Sequence, residues 1–261
     1  MDPPNPRSEV LRGVPQVVVL DLDGVIWRGQ EPIPGSPEAV VALQREAEAV
    51  VFCTNNSSVT VDTHRSKLEG FGIAVEGEIV TSALVCAEMV EPGETVLVCA
   101  GAGVVEALES RGVRVVREGD ADAVMVGYHT DFDYTRMAAA STAVLGGARL
   151  LATNDDPTFP SPAGMLPGGG AILASISTAA GTEPTVAGKP YQPMADYLLR
   201  RYGNEGLVIG DRPSGDGGLA RRMGYRFGLV LSGVTSQSDL PVEPAPDIVA
   251  EDLRALVEAL T

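Results

Sequence analysis

The chain has 261 residues, enough for one large domain or two modest ones, and 44% hydrophobic with 21% charged residues is a globular mix rather than a disordered one. Nineteen Lys and Arg against 35 Asp and Glu leave a net charge of −16, a surface that repels phosphate backbones and anionic membranes and so speaks against nucleic-acid or lipid binding. An anionic substrate must then be recruited by a local positive site working against the global field.

In chain order, Met1 to Arg12 carries three prolines and no apolar core, so no secretory signal is expected. Short β-branched runs then alternate with helical patterns, the mark of an α/β fold with a largely parallel sheet. Gln16 to Leu20 reads as a buried strand, Ser36 as the cap of a helix with Pro37 in its first turn, and Ala49 to Cys53 as a second strand. Thr60 caps the next helix, which ends at Gly70 or Gly72. Further strands are expected at Val96 to Ala100, Val113 to Val116, Ala123 to Val126, Arg149 to Ala152, Thr185 to Ala187, Leu207 to Gly210 and Tyr225 to Leu231. About ten strands exceed what one compact sheet of this length holds, so two α/β domains are expected. The Gly- and Pro-rich stretch from Asn154 to Gly170 reads as a long loop, a kind of segment that is often functional. Cys53, Cys86 and Cys99 each lie in an apolar stretch without metal-ligand spacing, as buried free thiols of a reducing cytoplasm do. No apolar run reaches the roughly 18 residues of a membrane span.

Four strand ends carry the polar chemistry. Val17 to Leu20 runs into Asp21-Leu22-Asp23-Gly24, two carboxylates at i and i+2 just beyond a strand, where ligands of open α/β sheets bind. Two acids so placed repel unless a cation lies between them, and a hard divalent ion such as Mg²⁺ answers that need; a solvated turn is the alternative. Val50 to Cys53 ends in Thr54-Asn55-Asn56-Ser57-Ser58, hydroxyls and amides at a helix start that suit a phosphate or carboxylate, or simply a polar turn. Val186-Ala187-Gly188-Lys189-Pro190 sets a lysine where a strand passes into a helix. Leu207 to Gly210 ends in Asp211, with Asp216 five residues on; Asp211 completes a metal site, and Asp216 orders water or holds Lys189.

These pieces, in this order and with Val25-Ile26-Trp27 after the first, resemble the haloacid dehalogenase-like (HAD) phosphatases. The branch most resembled is that of NagD-like, 4-nitrophenyl phosphatase and phosphoglycolate phosphatase proteins. Ala152-Thr153-Asn154-Asp155-Asp156 running on to Leu166-Pro167-Gly168 is also typical of it. The resemblance spans roughly Val17 to Leu260. It implies a Rossmann-like, doubly wound parallel-sheet core made of residues 1–82 and 185–261, with an α/β cap inserted at 83–184. It also implies a cytoplasmic enzyme that dimerises through the cap, with a small phosphorylated metabolite as its partner. Asp21 would be the nucleophile and Asp23 the general acid and base. Mg²⁺ would be held by the Asp21 carboxylate, the Asp23 backbone carbonyl and Asp211, while Thr54, Asn55, Asn56 and Lys189 would bind the phosphoryl group. An acid at Asp23 favours phosphate-ester hydrolysis over dehalogenation, because an alkoxide needs a proton to leave and a halide does not.

Phe159 falls where pyridoxal-phosphate-directed relatives place a histidine, which speaks against that substrate. Relatives flank the second acid of the last motif with threonine and an aliphatic residue, whereas Gly215-Asp216-Gly217 predicts a looser loop and weaker metal binding here. His129 reads as a surface or dimer-contact histidine, with contact to substrate as the alternative, and His64 as solvated. Among rival readings, Gly101-Ala102-Gly103 imitates a dinucleotide fingerprint but has Glu106 where the last glycine belongs. Gly168-Gly169-Gly170 lacks the ending of a P-loop. A receiver-type signalling domain has no use for Asp23 and no counterpart of the insert, and a phosphomutase carries a helical cap placed earlier. A catalytically weak relative that binds a phosphorylated metabolite is the remaining alternative.

Overall fold

Val17–Leu20 is buried on both faces: Val17 and Val19 join one apolar cluster, Val18 and Leu20 another on the opposite side. The period of two dictates this for a strand covered on both faces, and it explains an unbroken apolar run in place of an alternating one. In the computed structural model, which describes residues 13–161 and 164–261, this strand is central in a six-stranded sheet. The spatial order is Ile248–Ala250, Arg226–Val230, Leu207–Gly210, Val17–Leu20, Ala49–Thr54 and Ile79–Thr81, every pairing parallel. Chain order reverses between Val17–Leu20 and Leu207–Gly210, so the crevice at their carboxyl ends is a topological switch point. Helices Ser36–Glu46 and Leu253–Leu260 cover one face, with Val40, Leu43 and Leu256 buried there. Helices Gln192–Tyr202 and Gly218–Met223 cover the other through Met194, Leu198 and Leu219. Each such side chain contributes about 1.5–3 kcal/mol by leaving water.

A second parallel sheet has the order Thr185–Val186, Arg149–Ala152, Ala123–Val126, Thr95–Cys99, Arg114–Val116. Val96, Val98, Met125 and Leu151 on one of its faces belong to the same apolar cluster as Val17 and Val19, so the two sheets share a continuous core. Its other face, with Leu97, Val124 and Val126, packs under helices Tyr134–Leu145 and Gly169–Ala180.

The structure departs from the sequence reading at several places, first at the two edge strands of the core sheet, Ile79–Thr81 and Ile248–Ala250, three-residue segments the pattern did not mark. Thr185–Val186, assigned above to the core segment 185–261, hydrogen-bonds to Arg149–Ala152 of the second sheet; a two-residue strand carries no periodicity to show which sheet claims it. The stretch from Asn154 to Gly170 is no plain loop, because Thr158–Ser161 pairs antiparallel with Gly164–Pro167. Ser36 is the first helical residue rather than the cap: Gly35 takes that position at φ 81°, and Ser36 Oγ donates to Ile26 O at 2.7 Å. A short hairpin, Trp27–Arg28 with Glu31–Pro32, had no signal in the pattern. Thr60 does cap helix Val61–Gly70, its hydroxyl accepting from Thr63 N at 3.2 Å. All three cysteines are buried and free. Met1 to Arg12, where a secretory signal was not expected, lie outside the described residues. No helix of the described residues is long and apolar enough to cross a membrane.

Candidate active site

The side chains singled out above meet at the switch point. Asp21 directly follows Val17–Leu20 and donates its N–H to Ile209 O at 2.9 Å, continuing the ladder one residue beyond the strand. The chain then turns at Gly24, whose φ is 83°; a Cβ there would lie 2.2 Å from Asp211 Oδ2. Only glycine allows both the left-handed backbone and that approach to the acid of the neighbouring strand.

Lys189 is buried, and its ammonium donates to Asp21 Oδ1 at 2.6 Å, Asp216 Oδ1 at 2.7 Å and Cys53 O at 3.0 Å, which uses all three hydrogens. Asn55 grips the lysine's main chain: Lys189 N donates to Asn55 Oδ1 at 2.8 Å, and Asn55 Nδ2 donates to Lys189 O at 3.0 Å. The Asn55 side chain is thereby committed to holding Lys189 rather than open to a ligand. Thr54, also buried, accepts from Asn56 N at 3.0 Å through Oγ1 and keeps its hydroxyl hydrogen to donate. Asn56 Oδ1 accepts from Ser58 N at 3.1 Å and Ser58 Oγ at 2.7 Å. Asp23 Oδ1 accepts from the Trp27 indole at 2.7 Å.

Asp21, Asp211 and Asp216 bring one carboxylate oxygen each to within 4.8 Å of one another, all three buried. Lys189 is the only cation bonded to them among the described residues. Burial pushes the Asp21 carboxyl well above the usual carboxylate range; Lys189 pulls it back, and Asp216 and Asp211 add repulsion. Asp211 is pushed up to about 7 by burial and then by Asp216, against the Val234 N–H donated to its Oδ2 at 2.6 Å. Burial draws the Lys189 ammonium downward, yet Asp21 and Asp216 outweigh it and hold its pKa well above the ordinary value. Three buried acids against one ammonium leave negative charge uncompensated, and a hard divalent cation with oxygen ligands fits that cluster.

Asp216 lies in a tight π-helical turn, Pro213–Gly217, and its Oδ2 accepts from Arg212 N at 3.1 Å. The loose loop expected from Gly215-Asp216-Gly217 is therefore a packed one. A Cβ at Gly217 would stand 2.8 Å from Phe227 Cε1 and 2.9 Å from Pro244 Cγ, so the bare glycine is what lets the turn seat against the Phe227 ring.

These groups line a cavity of about 400 Å³ whose facing wall comes from loops after strands of the second sheet, with Tyr128, Asn154 and Asp156, and from the hairpin strand Thr158–Ser161, with Phe159. Phe159 meets the Tyr128 ring edge-on at 4.8 Å. The loop after Arg149–Ala152 is stitched to the loop after Ala49–Thr54. Ser57 Oγ and Thr153 Oγ1 lie 2.8 Å apart, Asn154 Nδ2 donates to Asn55 O at 2.8 Å, and Asn55 Nδ2 donates to Asp156 Oδ2 at 3.0 Å. Gly101 and Gly103, the imitation of a dinucleotide fingerprint, serve this contact as well: a Cβ on either would lie 2.3 Å from Ser58 O or 2.2 Å from Val59 O.

Both histidines are buried, against the expectation of surface positions. His64 Nε2 faces Asn56 O at 3.1 Å, and burial lowers its pKa. His129 lies with Nδ1 3.0 Å from Gly127 O and Nε2 3.9 Å from Cys99 Sγ, and burial lowers its pKa too. It is Tyr128, the residue before it, that reaches the cavity. Trp27, Tyr128, Asp156 and Arg212 were not identified from the sequence as site residues. Asp156 stood inside a quoted motif and Arg212 directly follows Asp211, but nothing local marks side chains whose partners lie more than fifty residues away.

Two family profiles match the chain: haloacid dehalogenase-like hydrolase over residues 18–114, and HAD-hydrolase-like over residues 186–256. The D-glycerol 3-phosphate phosphatase of Mycobacterium tuberculosis is 35% identical over 250 residues, 92% of this chain and 70% of that protein. The acid sugar phosphatase of Staphylococcus saprophyticus is also 35% identical, over 93% of this chain and 96% of that protein. The chain belongs to the haloacid dehalogenase-like hydrolases. Among solved structures, the glycerol phosphate phosphatase of M. tuberculosis in complex with magnesium matches with a TM-score of 0.83 at 32% identity, covering 94% of this chain and 78% of that one. The HAD profiles take in Asp21, Asp23 and Thr54 on one side and Lys189, Asp211 and Asp216 on the other. Residues 115–185 between them include the segment that walls the cavity opposite the acids.

Proposed function

We propose that this HAD hydrolase is a Mg²⁺-dependent phosphatase of small phosphomonoesters that works through an aspartyl-phosphate on Asp21. The observation that carries the reading is the buried cluster of Asp21, Asp211 and Asp216 around the Lys189 ammonium, at strand ends that open into a cavity of small-metabolite size.

Asp21, Asp211 and the backbone carbonyl of Asp23 would hold the ion, with Asp216 at its edge. Bound Mg²⁺ supplies the charge these acids lack and draws charge from the phosphoryl oxygens. The Asp21 carboxylate attacks phosphorus while the ester P–O bond breaks, and Asp23 gives its proton to the departing alkoxide. Water then attacks phosphorus of the aspartyl-phosphate, Asp23 takes its proton, and inorganic phosphate leaves with the Asp21 carboxylate restored. Lys189 and the Thr54 hydroxyl offset charge on the phosphoryl oxygens, and Asn55 keeps Lys189 in place.

Residues 1–82 and 185–261 serve as the catalytic core and 83–184 as the cap, with the strand Thr185–Val186 joining the cap sheet. Glycerol 3-phosphate, phosphoglycolate, nucleoside monophosphates and sugar phosphates are the candidate substrates, and the names of the two relatives above favour glycerol 3-phosphate and sugar phosphates among them. A cytoplasmic homodimer joined through the cap completes the reading, supported by three free buried thiols and by Tyr134 and Leu145 exposed on a cap helix. Phosphate release from a panel of these esters, with Mg²⁺ and with EDTA, tests it. Release that needs Mg²⁺ is the expected result, and no release from any ester would favour a binding protein instead.

A further inference from the structure

The chain has a single tryptophan, Trp27, and it is buried against the acid assigned to proton transfer. Its indole Nε1 donates to Asp23 Oδ1 at 2.7 Å. The main chain closes the same loop, with Gly24 N donating to Trp27 O at 2.7 Å and Asp23 bridged to Trp27. Helix Val61–Gly70, which follows the Thr54 segment, clamps the ring. Lys67 Nζ stands 4.0 Å from the ring centroid and is anchored on Gly29 O at 2.7 Å; Phe71, just past the helix, packs at 6.0 Å between centroids. A plain apolar side chain would fill the same core space, so neither the burial nor the turn explains why an indole is held so firmly.

We infer that Trp27 is a positioning residue for the general acid, its N–H fixing which oxygen of Asp23 carries the transferable proton. An indole N–H donates and cannot accept. Oδ1 accepts from the indole in both protonation states of Asp23, and because the carbonyl oxygen of a carboxylic acid is a better acceptor than its hydroxyl oxygen, the proton of the acid form is favoured on Oδ2. That oxygen has no hydrogen-bond partner among the described residues, and Asp23 lines the cavity. In the first half of the reaction the proton passes from Oδ2 to the ester oxygen as the P–O bond breaks. In the second half the same oxygen takes the proton of the attacking water. The ammonium over the ring face withdraws π density and strengthens the N–H as a donor. Without the indole, the carboxyl group is free to rotate and to carry its proton on the wrong oxygen.

The inference rests on the role proposed above for Asp23, and the test separates the two. Glycerol 3-phosphate has an alkoxide leaving group that needs a proton, whereas 4-nitrophenolate leaves without one. Two altered proteins are compared with wild type on both esters. One is Trp27→Phe. The other replaces the lone tryptophan biosynthetically by β-(benzothien-3-yl)alanine, which keeps the bicyclic shape and exchanges only N–H for sulfur, so that core packing is preserved. Each is expected to lose kcat/KM on glycerol 3-phosphate about tenfold or more beyond its loss on 4-nitrophenyl phosphate, a share of the ~10²–10⁴ that general acid catalysis contributes. Equal losses on the two esters by the benzothienyl protein would overturn the inference, because a packing role moves both alike. Wild-type protein that hydrolyses neither ester with Mg²⁺ would overturn the proposed function and this inference with it.

Discussion

Asn55 Nδ2 donates to Asp156 Oδ2 at 3.0 Å, across 101 residues of chain and from a loop of one sheet to a loop of the other. The same nitrogen donates to Lys189 O, so the placement of the second-sheet loop is felt at the main chain of the lysine that touches Asp21. Arg212 Nη1 lies 3.9 Å from Asp156 Oδ1, which makes this one carboxylate a tie between the loops bearing Thr54 and Asp211. Asp156→Ala leaves an Asn55 donor unpaired, at a cost of about 1–3 kcal/mol. The expected outcome is a loss of kcat/KM of roughly 5- to 100-fold, while Asp156→Asn, which keeps an acceptor, retains most of the activity. Steady-state kinetics on the two variants decide it; equal losses would mean that the charge matters and the hydrogen bond does not.

The acid cluster sets a pH dependence in the metal-free protein. Asp211 titrates at about 7 in the folded form, because of burial and Asp216, whereas an unfolded aspartate titrates near 3.9. Between those values the folded form holds a proton that the unfolded chain has released. The Asp211 contribution to stability therefore falls as pH rises from about 4 to about 7, and Asp21, raised by burial as well, acts in the same direction, whereas His64 and His129, lowered by burial, act in the opposite one. Mg²⁺ binding to the folded form alone raises Tm by mass action, more at high pH because the ion and the proton compete for the same oxygens. Thermal denaturation in EDTA and in Mg²⁺ across this range measures both effects, and Asp211→Asn should lessen both. An Asp211→Asn protein whose metal-free Tm follows pH with the same slope as wild type contradicts the account.

The two glycines beside Asp216 are not equivalent. At Gly215 the nearest atom to an added Cβ is Arg212 Cδ at 3.6 Å, an ordinary contact, so Gly215→Ala should be tolerated with little change in Tm or Mg²⁺ response. At Gly217 an added Cβ meets Phe227 and Pro244 below 3.0 Å, so Gly217→Ala should cost about 1–3 kcal/mol by overpacking and weaken the Mg²⁺-induced rise in Tm. Calorimetry of both variants with and without Mg²⁺ checks the asymmetry, which a loose loop would not show.

Sequence and structure agree most where chemistry is local. The apolar runs ending in Asp21, Thr54 and Asp211 place those groups at strand ends before any tertiary contact is known, and parallel strands so placed bring their ends to one edge of the sheet. Lys189 joins them through a turn after a strand of the other sheet, a partnership that spacing alone does not state. What the pattern could not show are partners set by packing. His64 lies on a helix of mostly polar residues, yet its ring is covered because the Asn56 carbonyl needs a partner inside the contact between loops. Trp27 read as one more residue of a motif until its indole was found on Asp23. Gly101 and Gly103 imitate a nucleotide signal because close backbone approach leaves the same residues behind whether the visitor is a pyrophosphate or the Ser58 carbonyl.

Whether Asp21 is the nucleophile is decided by the turnover of 4-nitrophenyl phosphate by Asp21→Asn in Mg²⁺, beside wild type and with circular dichroism on both. Asparagine keeps the volume of the side chain and relieves repulsion from Asp211 and Asp216, so the variant should fold. With no carboxylate to attack phosphorus, its turnover should fall to background. A folded Asp21→Asn protein that still turns over the ester measurably at steady state would contradict the account.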